Sequence, residues 1–347
     1  MNIFILNKKL ERIGVIDTYV SIIWTNRYYE CGDFELYSMV NEEILEKLKM
    51  DHVLIREGKE DNAMIIESIE LNTDGENGNY ITVTGRCLKS ILYRRIIWNQ
   101  TSLTGKMEHC IVRLINENVR SAAIRERNIS NLTIGELTDT GYIMKAQYTG
   151  DNLGESITGI CQNYGIGWDI KLDIENARFI FILYKGSDRS YAQEINPWIV
   201  FSNEFENLLT TNSTYSKENY KNVAKVAGEG EGIHRKYTIV GRATGIDRRE
   251  LFVDARDLST NEGTTSETEY YEQLQERGME QLAENKATTS FEGETVDYTY
   301  QFERDYFLGD IVEVVNEYGI GAVTRITEVI ESEDESGKYT IPTFFSS

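Results

Sequence analysis

Apolar and polar positions alternate in short runs over the first third of the chain. Ile3–Leu6, Arg12–Ile16, Val20–Trp24 and Asp33–Tyr37 each show the period of two that marks a half-buried strand. Glu42–Lys49 breaks this rhythm, because Ile44, Leu45 and Leu48 share one face of a helix. The strand period returns in His52–Glu57, Met64–Leu71 and Tyr80–Arg86, with Asn72–Asn79 as an acidic, Gly-containing hairpin loop. Residues 1–100 are therefore expected to form a first β-barrel-like domain.

From Cys87 the period lengthens. Leu88, Ile91 and Leu92 fit one helical turn, and Met107, Cys110, Ile111, Leu114 and Ile115 follow the spacing of an amphipathic helix. Asn152, with Glu155 three residues on, is placed to cap a helix burying Leu153, Ile157, Ile160, Cys161 and Tyr164, and Gly165 to end it. Ile166, Trp168, Ile170 and Leu172 then alternate into a hairpin with Phe179–Tyr184. Residues 101–195 read as a small mixed α/β domain. Strand character resumes in Trp198–Phe201, Asn222–Gly228 and Lys236–Gly241. A polar helix from about Thr268 to Lys286, with Tyr271, Leu274, Gly278 and Leu282 on one side, interrupts it. Thr295–Glu303, Asp310–Asn316, Ala322–Ile330 and Lys338–Phe345 close the series. The expected fold is mainly β with α insertions (α+β), with a second barrel-like domain over 196–347 carrying a helical insertion near 256–290.

The two strand-rich ends resemble each other. Met50-Asp51-His52-Val53-Leu54-Ile55 precedes a hairpin, Ile66-Glu67-Ser68-Ile69, an acidic loop and Gly78-Asn79-Tyr80-Ile81-Thr82-Val83. Leu308-Gly309-Asp310-Ile311-Val312-Glu313 precedes a hairpin, Ile326-Thr327-Glu328-Val329, an acidic loop and Gly337-Lys338-Tyr339-Thr340-Ile341. A duplicated unit is expected, with Val53 overlying Ile311 and Tyr80 overlying Tyr339.

Composition narrows the function. Residues 1–200 hold 22 Lys+Arg against 28 Asp+Glu, whereas residues 201–347 hold 14 against 29, so the net charge of −21 is concentrated in the second part. Carboxylates repel phosphate backbones, and sequence-specific nucleic-acid binding is not expected. Hydrophobic residues make up 40% of the chain, enough for sizeable cores, yet no apolar run reaches membrane-spanning length, and no cleavable signal opens the chain. The four cysteines, Cys31, Cys87, Cys110 and Cys161, lie far apart without a C-x-x-C and read as reduced core thiols.

Candidate chemistry is sparse. Gly228-Glu229-Gly230-Glu231-Gly232 lacks the Lys-Ser/Thr of a phosphate-binding loop and reads as a strand-end turn. His52, His109 and His234 neighbour no nucleophile elbow. Arg256 between Asp254 and Asp257 points to a local ion-pair turn. Trp24, Tyr28, Tyr29, Trp98, Trp168 and Trp198 suit either a sugar-stacking platform or cores and subunit contacts. No catalytic, cofactor-binding or metal site is assigned, and no cofactor is expected.

Trp24-Thr25-Asn26-Arg27-Tyr28 followed by Gly32-Asp33-Phe34-Glu35-Leu36 resembles the Gp37-like tail proteins of siphophages. So do Gly85-Arg86-Cys87-Leu88, the Gly228–Gly232 run and Phe252-Val253-Asp254-Ala255-Arg256-Asp257. Leu308-Gly309-Asp310-Ile311-Val312 and Arg325-Ile326-Thr327-Glu328-Val329 complete the set. These stretches occur in the expected order across nearly the whole chain; at the terminus, Pro342-Thr343-Phe344-Phe345 departs where a Gly is expected after the Phe. The resemblance implies a tail-tip or baseplate hub, related to the N-terminal hub part of tail-associated lysins. Such a hub is a virion protein made in the host bacterial cytoplasm. It forms a ring, usually a homotrimer, whose two barrel-like domains per chain let a threefold tip meet a sixfold tail tube. Its partners would be copies of itself, a distal tail protein, the tail tube and tip fibre or spike proteins, with genomic DNA only in transit. Longer relatives carry a lysin region after the hub, for which this sequence leaves no room. A non-enzymatic structural role is expected, and the alternatives are a tail-tip peptidoglycan hydrolase or endopeptidase and a host-wall carbohydrate-binding module. The acidic stretches Glu331–Glu335 and Glu262–Glu272 are candidates to line the channel of such a ring.

Overall fold

The computed structural model describes residues 1–345 apart from 76–77, 210, 261–262, 264, 294 and 296–298. The first half contains β1 (Ile3–Leu6), β2 (Arg12–Ile16), β3 (Ser21–Arg27), β4 (Asp33–Met39), α1 (Glu42–Lys47), β5 (Val53–Arg56), β6 (Lys59–Asp74) and β7 (Gly78–Cys87). The middle contains α2 (Ser90–Tyr93), β8 (Thr101–Lys106), α3 (Met107–Ile115), β9 (Leu132–Leu137), β10 (Ile143–Tyr148), α4 (Leu153–Tyr164), β11 (Gly167–Asp173) and β12 (Arg178–Tyr184). The last part contains β13 (Val200–Ser202), β14 (Asn212–Ser216), β15 (Val223–Ala227), β16 (Tyr237–Val240), β17 (Glu250–Asp254), α5 (Glu267–Glu284), β18 (Thr288–Glu292), β19 (Ile311–Val315), β20 (Gly321–Asp334) and β21 (Gly337–Phe345).

The molecule is mostly β, as its alternation predicts, but the two expected barrels are not closed. Among the described residues, strands of both halves join in one sheet of order β14-β18-β21-β20-β3-β4-β7-β6-β5-β1-β2, with β13 and β19 branching from β20. The physical reason lies in β20. Its near half pairs with β19 through Ile311↔Arg325, whereas its far half continues past that partner and takes β3 as a neighbour. Three further details depart from the sequence reading. Residues 331–334 are strand, not an acidic loop. Most of Asn72–Asn79 extends β6 and β7, although residues 76 and 77 lie outside the described ones. Thr295–Glu303 supplies only isolated bridges at Thr295 and Phe302, and residues 296–298 within it lie outside the described ones.

The duplication is visible in the strand registers. β5–β6–β7 and β19–β20–β21 are antiparallel meanders, each with a bulge at the same step: between Ile66 and Ser68 against β7, and between Ile326 and Glu328 against β21. Ile66 bonds backbone to backbone with Asp51 and His52, and Ile326 with Gly309 and Asp310. Val53 faces Ile65 as Ile311 faces Arg325, and Tyr80 faces Asn72 as Tyr339 faces Ser332. Both expected pairs thus occupy equivalent positions. The likeness extends outward, since β7 carries β4 and then β3 while β21 carries β18 and then β14.

Apolar packing follows the strand faces. Ile22, Trp24, Phe34, Leu36, Ile66 and Val83 belong to one core of the first half, and Phe201, Phe291, Val312, Ile326, Val329 and Phe344 to the core of the last part. A larger core fills the middle from α3, α4, β11 and β12 and reaches into the first half through Leu6, Val53 and Ile65. In α4, Asn152 Oδ1 accepts from the Gly154 and Glu155 amides at 3.0 and 3.2 Å, and Gly165 ends the helix in the left-handed region (φ 67°). α5 covers the small sheet β16-β15-β17 with Tyr270 and Leu274.

Candidate functional site at the junction of the two halves

The seam between the halves is the antiparallel pair β3 and β20, running from Glu328↔Arg27 to Asp334↔Ser21. It is charged as well as hydrogen-bonded. Glu331 stands opposite Trp24 and receives Arg56 Nη1 and Lys59 Nζ at 2.7 Å each, while Lys59 also reaches Glu303 at 2.7 Å. The Arg56 side chain is only 1% exposed, and its guanidinium lies 4.7 Å from the Trp24 ring. Burial pushes the Glu331 carboxyl up, but Arg56 and Lys59 outweigh it and hold the group below the usual carboxylate range. At one end of the seam Arg27 Nε meets Glu328 at 2.5 Å, and its Nη1 pairs with Asp33. At the other, Glu333 takes the Met1 amine at 2.9 Å and Lys338 at 3.3 Å. Glu331 and Glu333, read from the sequence as channel candidates, are therefore held in the seam by cations. In the other candidate stretch, Glu272 pairs with Lys145 and Glu262 lies outside the described residues.

Where the seam ends, all three parts of the chain meet around Tyr28. Its amide donates to the Thr327 carbonyl, and its buried ring sits between Gly167 of the middle and Gly309 of the last part. A Cβ on either glycine would lie 2.2 Å from the ring, so a side chain at these positions would force the parts apart. Arg325 lies 5.5 Å from the ring and donates to the Gly309 carbonyl at 2.6 Å. Asp310 ties the last part to the middle by accepting from the Ser187 amide and Arg189 Nε, each at 2.7 Å. Lys89 is 2% exposed, and its Nζ donates to the carbonyls of Arg27 (2.8 Å) and Glu30 (3.0 Å), fixing the β3–β4 turn from beneath.

A cleft of about 340 Å³ opens beside this junction, lined in part by Arg27, Lys89, Asp169, Lys171, Tyr184 and Asp310. Its charges face one another: Lys171 pairs with Asp61 at 3.2 Å and Asp169 at 3.3 Å. This arrangement fixes the parts relative to one another. Among the described residues, no group of three or more His, Cys, Asp and Glu is placed to hold a metal ion.

The other residues singled out in the sequence fall apart in space. Trp24 and Trp168 are buried in separate cores, Trp98 stacks with Arg127, and Trp198 meets Tyr191 edge to face, so the tryptophans do not make one platform. His52 bonds to the Lys47 carbonyl at 2.7 Å, and His109 and His234 are exposed. Asp254 is the centre of an ion-pair turn: Arg256, then Arg235, pulls its carboxyl down to about 2. Glu229 in the glycine run bonds to Lys236 and Thr260. Sequence spacing missed the thiol pair, because Cys31 and Cys87 meet only through β4–β7 pairing, with their sulfurs 3.4 Å apart. It also missed the charges of the seam, since Arg56, Lys59 and Glu331 belong to strands of different halves.

Comparison with known proteins places this architecture. No curated protein matches the chain by sequence. Among solved structures, the 43 kDa tail protein of prophage MuSo2 from Shewanella oneidensis has a TM-score of 0.60 at 13% identity, with 99% of this chain and 98% of that one covered. The tail protein from Neisseria meningitidis MC58 gives 0.60 at 13%, covering 99% and 96%. Prophage tail protein gp18 from Listeria monocytogenes EGD-e gives 0.57 at 11%, covering 100% and 95%. These likenesses show a shared fold. The family model for the Siphovirus ReqiPepy6 Gp37-like protein matches residues 2–344, and the chain belongs to that phage tail protein family.

Proposed function

We infer that this protein is a structural hub subunit of the tail tip or baseplate, forming a ring that joins the tail tube to the tip and surrounds the path of the ejected DNA. The observation that carries this reading is the duplication. One chain supplies two β-meanders with the same register and the same bulge, so three chains supply six similar segments to a sixfold tube. The tight three-way junction around Tyr28 supports it, because a ring under load needs its segments fixed. The partners in this reading are further copies of the chain, a distal tail protein, the tail tube and tip fibre or spike proteins. The domain division at residues 100 and 195 belongs to the same proposal, as does the absence of catalysis.

Cross-linking of intact tails tests it. Covalent trimers are expected, and a pattern ending at dimers or running only to hexamers would overturn the ring of three. Incubation of the purified protein with cell walls is expected to release neither peptides nor sugars; turnover abolished by one Asp or Glu substitution would replace the structural role with a hydrolase.

A further inference from the structure

The duplication leaves one half of the seam unmatched. In the last part, the far half of β20 has β21 on one side and β3 on the other. Its counterpart, the far half of β6 from Ser68 to Asp74, has β7 on one side and no strand on the other among the described residues. The counterpart of β3 is equally open. Gly85 faces Phe34, which faces Trp24; the equivalent Phe344 faces Phe291, which faces Ser213. β14 is thus the counterpart of β3, and it ends the sheet with β18 as its sole neighbour among the described residues.

We propose that the far half of β6 pairs antiparallel with β14 of a second copy of this chain, repeating between molecules the β3–β20 seam within each one. This rests on the ring reading above and names its contact. The register follows from the seam. Glu331 faces Trp24, and since Leu71 and Ser213 are their counterparts, Leu71 faces Ser213 of the next copy. Ile69 then faces Tyr215, Glu70 faces Thr214, and Asn72 faces Asn212.

Side chains on the two edges fit this use. Leu71 and Tyr215 are 56% and 57% exposed, a poor arrangement for isolated strand edges. In the proposed register Ile69, Leu71, Tyr215 and Ser213 share one face. Ile69 already packs on the core of the first half, and Tyr215 meets Phe291 of the other core edge to face at 5.9 Å. The pairing would bring the edges of the two cores together between molecules, as the β3–β20 seam sets Trp24 of one core and Val329 of the other on neighbouring strands within one. Neither edge carries the Lys or Pro with which proteins commonly block strand addition: residues 68–73 read Ser-Ile-Glu-Leu-Asn-Thr and 212–216 read Asn-Ser-Thr-Tyr-Ser. The Ile66–Ser68 bulge at the start of the first has its equivalent at Ile326–Glu328, where β20 still pairs with β3. The two edges belong to different strands, separated by six others in the sheet order of one chain, so the contact is head-to-tail and in the ring reading propagates from copy to copy.

Paired cysteines in assembled tails carrying the full chain test this. Asn72→Cys with Asn212→Cys, and independently Glu70→Cys with Thr214→Cys, join exposed positions that face each other in the proposed register. Mild oxidation is expected to give covalent dimers and larger species with either pair, whereas each single variant gives only the background of the native thiols. Asn212→Cys with Ser68→Cys, four residues out of register, is expected to stay at that background. Tails that hold the protein as a ring by electron microscopy, yet give no ladder with either pair, would overturn the seam and leave the ring standing. Tails that hold it as single copies would overturn both. Equal linking of the off-register pair would overturn the register and with it the inheritance from β3–β20.

Discussion

At the scale of single residues, the least comfortable group is Glu280 of α5. It is buried against the middle of the chain, where it accepts from Tyr148 Oη and lies 3.9 Å from Arg277 Nε. Burial raises its pKa from 4.5 to about 7; Arg277 and Tyr148 oppose that rise, while Glu276 and Glu284 add to it. Between those two values the folded protein holds a proton that the unfolded chain has released, so this residue makes stability fall as pH rises through the window. Glu280→Gln keeps an acceptor for Tyr148 and removes the charge. Thermal or denaturant unfolding is expected to show the variant more stable than the parent by about 3 kcal/mol at pH 8, with the difference vanishing near pH 4. Equal stability at both pH values would show that Arg277 compensates the buried carboxylate fully. Nothing in the sequence marks this group, because a Glu in a polar helix has the same periodicity whether it faces water or another part of the chain.

Among elements, the duplicated meander is the feature that sequence and structure share most closely, and the bulge in each copy is what the structure adds. Gly85 lies opposite the bulged Ile66–Ser68 step, where a Cβ would come 1.8 Å from the Ile65 carbonyl oxygen. The strand approaches its neighbour more closely there than any side chain permits, which gives a physical reason for glycine in the Gly85-Arg86-Cys87-Leu88 stretch. Gly85→Ala is expected to lower stability by about 1–3 kcal/mol, as overpacking does, measured by denaturant unfolding. The equivalent position in β21 is Phe344, a buried core residue, so the duplicated strands share a register but not a packing solution. That difference is why the resemblance between the two ends is visible in strand order and spacing rather than in identical residues. The helices were legible for a simpler reason: α3, α4 and α5 each repeat apolar positions at helical spacing, and Asn152 and Gly165 mark the ends of α4.

For the whole molecule, the seam decides the architecture. Glu331 balances Arg56, a cation with almost no access to water, so removing the carboxylate leaves an uncompensated buried charge. Glu331→Gln is expected to cost about 3–5 kcal/mol, and a cycle with Arg56→Met to recover part of that loss. The pH dependence has the opposite sign to that of Glu280. The Glu331 pKa is depressed in the folded protein, so its contribution is present above the unfolded carboxylate value and is lost as pH falls through the folded one. Acid is therefore expected to loosen the attachment of the halves, and hydrogen exchange of β3 and β20 amides against pH measures it. Unchanged protection at low pH in the parent would show that strand pairing and Trp24 packing hold the seam without its charges.

Taken alone, the sequence determined the β-rich class, most strand positions, the main helices, the duplicated meander and the family. All of these rest on short-range periodicity or on motifs that stay recognisable wherever the chain goes. Only the tertiary structure decided that the two halves share an open sheet instead of forming separate barrels. That choice depends on β20 outrunning β19 and finding β3, which lies near the opposite end of the chain. The same holds for the carboxylates of residues 331–333. An acidic stretch reads as solvated charge until the fold brings Arg56, Lys59 and the Met1 amine to it, and electrostatic pairing between distant segments has no period by which a sequence could announce it.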